Sequence, residues 1–345
     1  MKKKISLLIK IILTNVCIVF LCVILIELFF GYWFDKDNFG PYMREHRMKN
    51  QPIIWEQEDE IIEYNYIKNY YGFRGEDIEP SKIEAIIMGG SVIDEKFKPE
   101  KYTITGFLNR NLKEKNHSIQ IVNAGVWGQS TKGMVHGFKN WLLKIKEFKP
   151  KFILIYTGIN ELEAESIEDK DAIYEAYLLN PDKYEAFTDN IKSRSFIYDQ
   201  FSIFRYKILS KNKNFVKYDG KIDEEYKNNF NFINYSQAEK STKKDKNKTI
   251  NYLKRIDKIY YYSKKLGAKP IFITNLSAQG YVEDVFLFNT SLIDHCLKKN
   301  YLCIDLAKKL DGNIDYWYDG MHTTKKGSKA IADLITPELI SYFDN

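Results

Sequence analysis

The hydrophobic pattern opens on one unbroken apolar run. From Ile11 to Phe34 there are 24 residues, with Glu27 as the only formal charge. About 20 apolar residues span a bilayer core. Lys2, Lys3, Lys4 and Lys10 precede or enter the run, and basic flanks stay in the cytoplasm. The pattern predicts an uncleaved single-pass anchor over residues 1–34, with a cytoplasmic N-terminus and the remaining chain on the periplasmic or extracellular side. A cleaved signal peptide is the alternative, but it calls for a shorter apolar core and a small-residue cleavage site. Here the run ends in "ELFFGYWFD", which suits an interfacial aromatic belt. Glu27 reads as a contact for a partner helix or, more simply, as a side chain snorkelling to the outer surface.

Residues 35–82 are polar and aromatic, without a strong period, and read as a turn-rich lead-in. An alternating pattern then begins and continues to residue 345. "IEAIIMGG", "IQIVNAG", "KFILIYTG", "PIFITN" and "LCIDL" are short apolar runs, predicted as buried strands. "TITGFLNRNLKEKN", "TKGMVHGFKNWLLKIKEFKP", "TINYLKRIDKIYYYSKKLGAKP", "VFLFNTSLIDHCLKKN" and "TKKGSKAIADLITPELISYF" carry apolar residues at helical spacing. Strands alternating with helices predict an α/β fold, with a parallel sheet covered on both faces. One interval, about 162–248, lacks a comparable strand. "AIYEAYLLNPDKYEAF" and "SFIYDQFSIFRYKILSK" look helical within it, and "KSTKKDKNK" looks like a solvated loop. The interval reads as a helical cap inserted after the third strand, or as a surface elaboration without function.

Composition narrows the function classes. The chain has 345 residues, 44% of them hydrophobic, enough for one large domain beyond the anchor. Its net charge of +6 is modest and partly resides in the first ten residues. With no basic motif interleaved with aromatics, nucleic acid is not an expected partner. Cys17 and Cys22 lie in the apolar run. Cys296 and Cys303 read as buried free thiols, with a disulfide as the alternative. No Cys/His spacing indicates zinc.

The ends of the predicted strands carry the chemistry, because ligands of open α/β sheets bind there. "GGS" with Ser91 follows the first, "NAGVWGQS" with Gly125 the second, "TGINE" with Asn160 and Glu161 the third, and "DYWYDGMHTT" with Asp319 and His322 the fifth. A serine hydroxyl needs a base to become a nucleophile, and histidine serves near neutral pH. A carboxylate fixes the histidine tautomer. Backbone N–H groups at Ser91 and Gly125, and the amide of Asn160, suit an oxyanion.

These four blocks in order, "IIMGGS", "NAG", "GINE" and "DGMH", resemble those of the SGNH or GDSL-type hydrolases over residues 83–345. The resemblance implies a flavodoxin-like three-layer α/β/α fold with a five-stranded sheet. It implies Ser91 as nucleophile, His322 as base and Asp319 as its orienting acid. It also implies an oxyanion hole of Ser91 N–H, Gly125 N–H and Asn160, with no metal or organic cofactor. Two positions depart from the family pattern: Gly90 stands where Asp is usual, and Glu161 replaces a usual Asp. The lead-in "YYGFRGED" with Arg74 is similar to that of membrane-anchored relatives.

Each residue also has a plainer reading. Ser91 alone could cap a helix, His322 and Asn160 could serve turns, and Asp319 could be a metal ligand lacking a set. Trp127 and Gln129 line an acyl pocket or merely pack a loop. His117, His136 and His295 have no recognisable partner. "FNF" and "KIYYYSKK" read as core stripes with a wet edge. Taken together, the blocks predict an ester-processing enzyme with an acyl-Ser91 intermediate. Water would make it an esterase, and a glycan hydroxyl an O-acyltransferase. The anchor suggests an ester-bearing small molecule, envelope glycan or lipid as substrate. The alternative from another class is a catalytically silent envelope-assembly or glycan-binding protein. A nucleotide-binding domain is disfavoured by the lack of a glycine-rich phosphate loop.

Overall fold

The computed structural model describes residues 2–34, 47, 49–57, 60–161, 230–242, 247–310 and 312–344, with 187–188, 191–192, 194–198, 200–201, 204, 216–218 and 227 between them. In chain order the elements are α1 (Lys2–Phe30), β1 (Lys49–Gln57), β2 (Glu60–Lys68), β3 (Ala85–Met88), α2 (Ser91–Asp94), α3 (Ile104–Glu114), β4 (Ile121–Asn123), α4 (Thr131–Asn140) and β5 (Phe152–Tyr156). After these come β6 (Val216–Tyr218), α5 (Tyr235–Ser241), α6 (Asn247–Lys265), β7 (Lys269–Ile273), α7 (Glu283–Lys299), β8 (Leu302–Ile304), α8 (Leu306–Lys309) and α9 (Lys325–Asp344).

The five predicted strands form one parallel sheet, ordered β4-β3-β5-β7-β8. This is the doubly wound order whose direction reverses beside the first strand. The strands are apolar throughout because both faces are covered. Ala85, Ile87, Leu154 and Ile273 pack towards α3 and α9. Ile86, Met88, Ile153 and Phe272 pack towards α4 and α6. The reversal between β4 and β5 opens a crevice at the carboxyl end of β3, where Ser91 follows.

The lead-in was expected to be a turn-rich coil, but β1 and β2 pair antiparallel over nine residues each. The stretch predicted to lack a strand supplies β6, which pairs parallel with β1 through Ile53–Val216 to Trp55–Tyr218. The result is a small second sheet, ordered β2-β1-β6. In β2 the more buried side chains alternate with exposed ones, a period of two that glutamates and lysines obscured. The helix expected over 131–149 stops at Asn140. Trp141 turns inward there, fully buried, and its indole N–H donates to Tyr71 O at 2.6 Å. The helix predicted at 172–187 lies outside the described residues, apart from its last position. Of the one predicted at 195–211, residues 196–198, 200–201 and 204 are helical. Phe230 and Phe232 pack on the core edge.

Within α1, Ile9–Phe30 is a 22-residue stretch of mean hydropathy 2.8 with no part buried in the protein. It is about 33 Å long at 1.5 Å per residue. Glu27 does not reach for solvent. Its carboxylate accepts from Trp33 Nε1 (2.8 Å), Ser195 Oγ (2.7 Å), Phe196 N (3.2 Å) and Ile197 N (3.0 Å). The inserted segment thus binds the end of the apolar helix. Cys296 and Cys303 are disulfide-bonded rather than free, since the turn from α7 into β8 brings their Cα atoms to 6.3 Å.

Candidate active site

Ser91 is the first residue of the short helix after β3, with Gly90 in the cap position. The serine hydroxyl is therefore not used as a cap. It lies 2.8 Å from His322 Nε2, and His322 Nδ1 lies 2.7 Å from Asp319 Oδ2. The three side chains join across 231 residues of sequence because β3 and the loop before α9 end on the same sheet edge. Asp319 Oδ1 is occupied separately, accepting the N–H groups of Met321 (2.8 Å) and His322 (2.7 Å). Its two oxygens thus fix both the loop and the ring. Burial alone would raise the Asp319 pKa. The His322 hydrogen bond and charge, with the two backbone N–H groups, outweigh it and hold the carboxyl below its ordinary value. The stabilisation contributed by the ionised Asp319 carboxylate is therefore present above the unfolded-state pKa and lost as pH falls through the lower folded one. The stability gap between wild type and Asp319→Asn should narrow on acidification through the carboxylate range, as thermal melts at a series of pH values would show.

Asn160, after β5, donates from Nδ2 to Gln129 O at 2.9 Å, which leaves its second amide hydrogen for a ligand. That nitrogen lies against the Cα of Gly90. A Cβ at position 90 would overlap it, so the Gly-for-Asp departure is the complement of where Asn160 sits. Gly90→Asp should displace Asn160 and lower kcat about 10²–10³-fold, the effect of losing one oxyanion donor.

Gly125 does not fit its expected part. Its N–H is donated to Asn123 Oδ1 (2.9 Å), its carbonyl accepts from Lys68 Nζ (2.7 Å), and its Cα packs against Asp94. The neighbouring Gly128 has φ +70° and open space beside it, and its N–H has no partner among the described residues. It sits in the turn closed by Gln129 N–H to Val126 O (3.1 Å). Trp127, in the same turn, is 49% exposed and lies 6.0 Å from the His322 ring, whose other neighbour is Tyr318, stacked at 5.5 Å.

Two buried ion pairs missed in the sequence hold this edge together. Lys68 of β2 bonds Asp94 at 2.8 Å, with Tyr66 OH on the same carboxylate at 2.9 Å. Burial alone would raise the Asp94 pKa, but Lys68, Arg74 and Tyr66 outweigh it and hold it below the ordinary carboxylate value. Lys98 pairs with Glu95 and donates to Thr323 O at 2.6 Å, tying the serine turn to the residue after His322. Arg74 donates to Glu95 O at 2.6 Å, and also to the carbonyls of Asp94 and Lys98. In sequence, "VIDEKFK" and "YNYIK" look like solvated charge. Glu161 is likewise internal, accepting from Thr131 at the start of α4 and from Arg255 Nη2 (2.9 Å). Burial raises its pKa more than these partners lower it. The other described histidines have partners away from the site: His295 with Asp257 (2.8 Å), His117 with Asp344 (3.4 Å) and His136 with Asn140 (3.0 Å). Among the described residues, no three His, Cys, Asp or Glu side chains assemble as a metal set.

The family pattern of GDSL-like lipase/acylhydrolases matches residues 86–335, which include Ser91, Asn160, Asp319 and His322. The chain belongs to the GDSL-like lipase/acylhydrolase family. That family membership makes it an ester hydrolase by class. No curated protein matches the sequence. Similar solved structures include a psychrotrophic esterase from Pseudoalteromonas sp. (11% identity, 76% of this chain and 100% of that one, TM-score 0.43). Others are an acetylxylan esterase from Geobacillus stearothermophilus (12%, 75% and 94%, 0.42) and a lipolytic G-D-S-L family member from Veillonella parvula DSM 2008 (12%, 74% and 96%, 0.41). The GDSL match begins at β3, so the hairpin that supplies Lys68 lies outside it.

Proposed function

We propose that the protein is a serine esterase that removes short acyl groups, acetyl foremost, from glycans at the outer membrane-facing surface of the cell. The observation that carries this reading is the continuous relay from Ser91 Oγ to His322 Nε2 and from His322 Nδ1 to Asp319 Oδ2, at 2.8 and 2.7 Å.

In the proposed reaction Ser91 Oγ attacks the ester carbonyl carbon while its proton passes to His322 Nε2. Asp319 keeps the Nδ1–H tautomer and steadies the imidazolium. The tetrahedral oxyanion is held by the Ser91 N–H, which as a first-turn N–H has no partner within the helix, by the Gly128 N–H in place of Gly125, and by the second Asn160 amide hydrogen. Collapse breaks the carbon–oxygen bond to the alcohol, which leaves with the proton from His322. Water then attacks the acyl-Ser91, its proton passing through His322, and the acid departs. Asn160→Ala should lower kcat about 10²–10³-fold, while Gly125→Ala should act chiefly on stability through its crowding against Asp94. Steady-state kinetics beside thermal melts separate the two.

The small acyl group is favoured by the cleft beside Gly90 and Asn160. It is lined by Val92, Tyr156, Gly158 and Asn275 as well, and its free space is about that of one water molecule, too little for a long acyl chain. A glycan acceptor is favoured by the half-exposed Trp127 ring beside His322, a flat face on which a sugar ring can stack. The outer location is supported by Ile9–Phe30 as an anchor, by the lysines before it, and by the Cys296–Cys303 disulfide, which suits an oxidising compartment. The test is acetate release from O-acetylated xylooligosaccharides against long-chain p-nitrophenyl esters. Preference for the long chains would reject the glycan assignment. Acetyl appearing on an added sugar hydroxyl instead of water would make the enzyme a transferase.

A further inference from the structure

We infer that the described residues of the inserted segment between Phe187 and Phe204 lie on the bilayer surface, with their apolar side chains at the outer headgroup boundary. The inference rests on the reading of Ile9–Phe30 as a membrane span.

Ile197, Phe201 and Phe204 recur at i, i+4 and i+7, and the described residues 196–198, 200–201 and 204 are helical. That spacing puts the three on one helix face. A core-facing stripe would be buried, yet Phe201 and Phe204 are 59% and 60% exposed and Ile197 is also exposed. Just upstream, Phe187 and Ile191, four residues apart, are exposed too. An apolar face of this extent on a water-soluble surface marks an interaction site.

What covers the face follows from where it is tethered. Glu27 takes the Ser195 hydroxyl and the Phe196 and Ile197 N–H groups. Tyr32 N–H donates to Arg194 O at 2.8 Å, and the Phe30 and Phe196 rings meet at 5.4 Å. Glu27 lies three residues inside the end of the apolar stretch, about 4.5 Å along the helix axis. The groups that bond it share its level, so the segment begins at the outer boundary of the span. The apolar face of an interfacial helix sinks about 5–10 Å into the headgroup/acyl boundary. A carboxylate at this depth is costly, and four donors on Glu27 offset that cost. The bilayer is thus the occupant continuous with the tether.

The test uses the full chain in nanodiscs of phosphatidylcholine and phosphatidylglycerol, with Cys17 and Cys22 replaced by serine. An environment-sensitive fluorophore is placed singly through Phe201→Cys, Phe204→Cys, Phe20→Cys or Lys254→Cys, and lipids spin-labelled at shallow or deep acyl positions serve as quenchers. The expected result is deep quenching at 20, shallow quenching with blue-shifted emission at 201 and 204, and water-like emission at 254. Deep quenching at 20 with 201 and 204 behaving like 254 overturns the surface assignment and leaves the span standing. Blue-shifted emission at 201 and 204 without lipid quenching overturns it in favour of a protein partner or second copy. No quenching at 20 removes the span and this inference together.

Discussion

Ser91→Ala is expected to lower kcat for ester hydrolysis about 10⁴- to 10⁶-fold, the range seen when one member of a serine relay is removed. The hydroxyl is the only atom deleted, and its partner in the structure is His322 Nε2 at 2.8 Å. No cap is lost, because Gly90 holds the cap position, so the melting temperature should change little. His322→Ala should fall into the same range. The double variant should be no worse than either single one, since the two act as a unit. Circular dichroism and kcat on a p-nitrophenyl ester measure both halves of this expectation. A residual activity near wild type in Ser91→Ala would remove the acyl-enzyme from the account.

Lys68→Met is expected to cost about 3–5 kcal/mol of stability, the penalty for breaking a buried pair and stranding one charge. Lys68 and Asp94 are almost wholly buried. Without the ammonium, the carboxylate keeps the Tyr66 hydroxyl and the nearby Arg74 charge but loses its closest compensation. Lys68→Met with Asp94→Leu should recover much of the loss, because an apolar pair of similar volume replaces the ions without a stranded charge. The pH dependence gives an independent sign. In the wild type the Asp94 pKa is held down by Lys68, so its contribution is present above the unfolded-state pKa and lost as pH falls through the folded one. In Lys68→Met the folded pKa rises, and the deficit should shrink as acid neutralises Asp94. Denaturant unfolding of the three proteins at neutral and acidic pH tests this. Because Asp94 closes the turn that Ser91 opens, kcat should also fall in the single variant.

The five strands of the parallel sheet were legible because strands buried on both faces read as continuous apolar runs. The relay was legible because its residues sit at strand ends in a recognisable order. The hairpin of β1 and β2 was hidden by its composition. Glu60, Glu63 and Lys68 punctuate β2, and a charged side chain reads as solvent-facing unless its partner is known. Lys68 meets Asp94 through folding alone, and Lys98 and Glu95, three residues apart, are buried together only by it. Gly125 shows the same limit at one atom: the sequence marks a glycine after a strand, but not that Asn123 takes its N–H. Glu27 read as snorkelling because its four donors come from Trp33 and from residues 195–197, far along the chain. The three residues of β6 were too few to stand out from a helical insertion.

The most direct measurement is intact and peptide mass spectrometry of the full chain after a fluorophosphonate probe. The account predicts one adduct per chain, on Ser91, absent in Ser91→Ala and formed far more slowly in His322→Ala. An adduct on another residue, or labelling of Ser91→Ala at the wild-type rate, would contradict it.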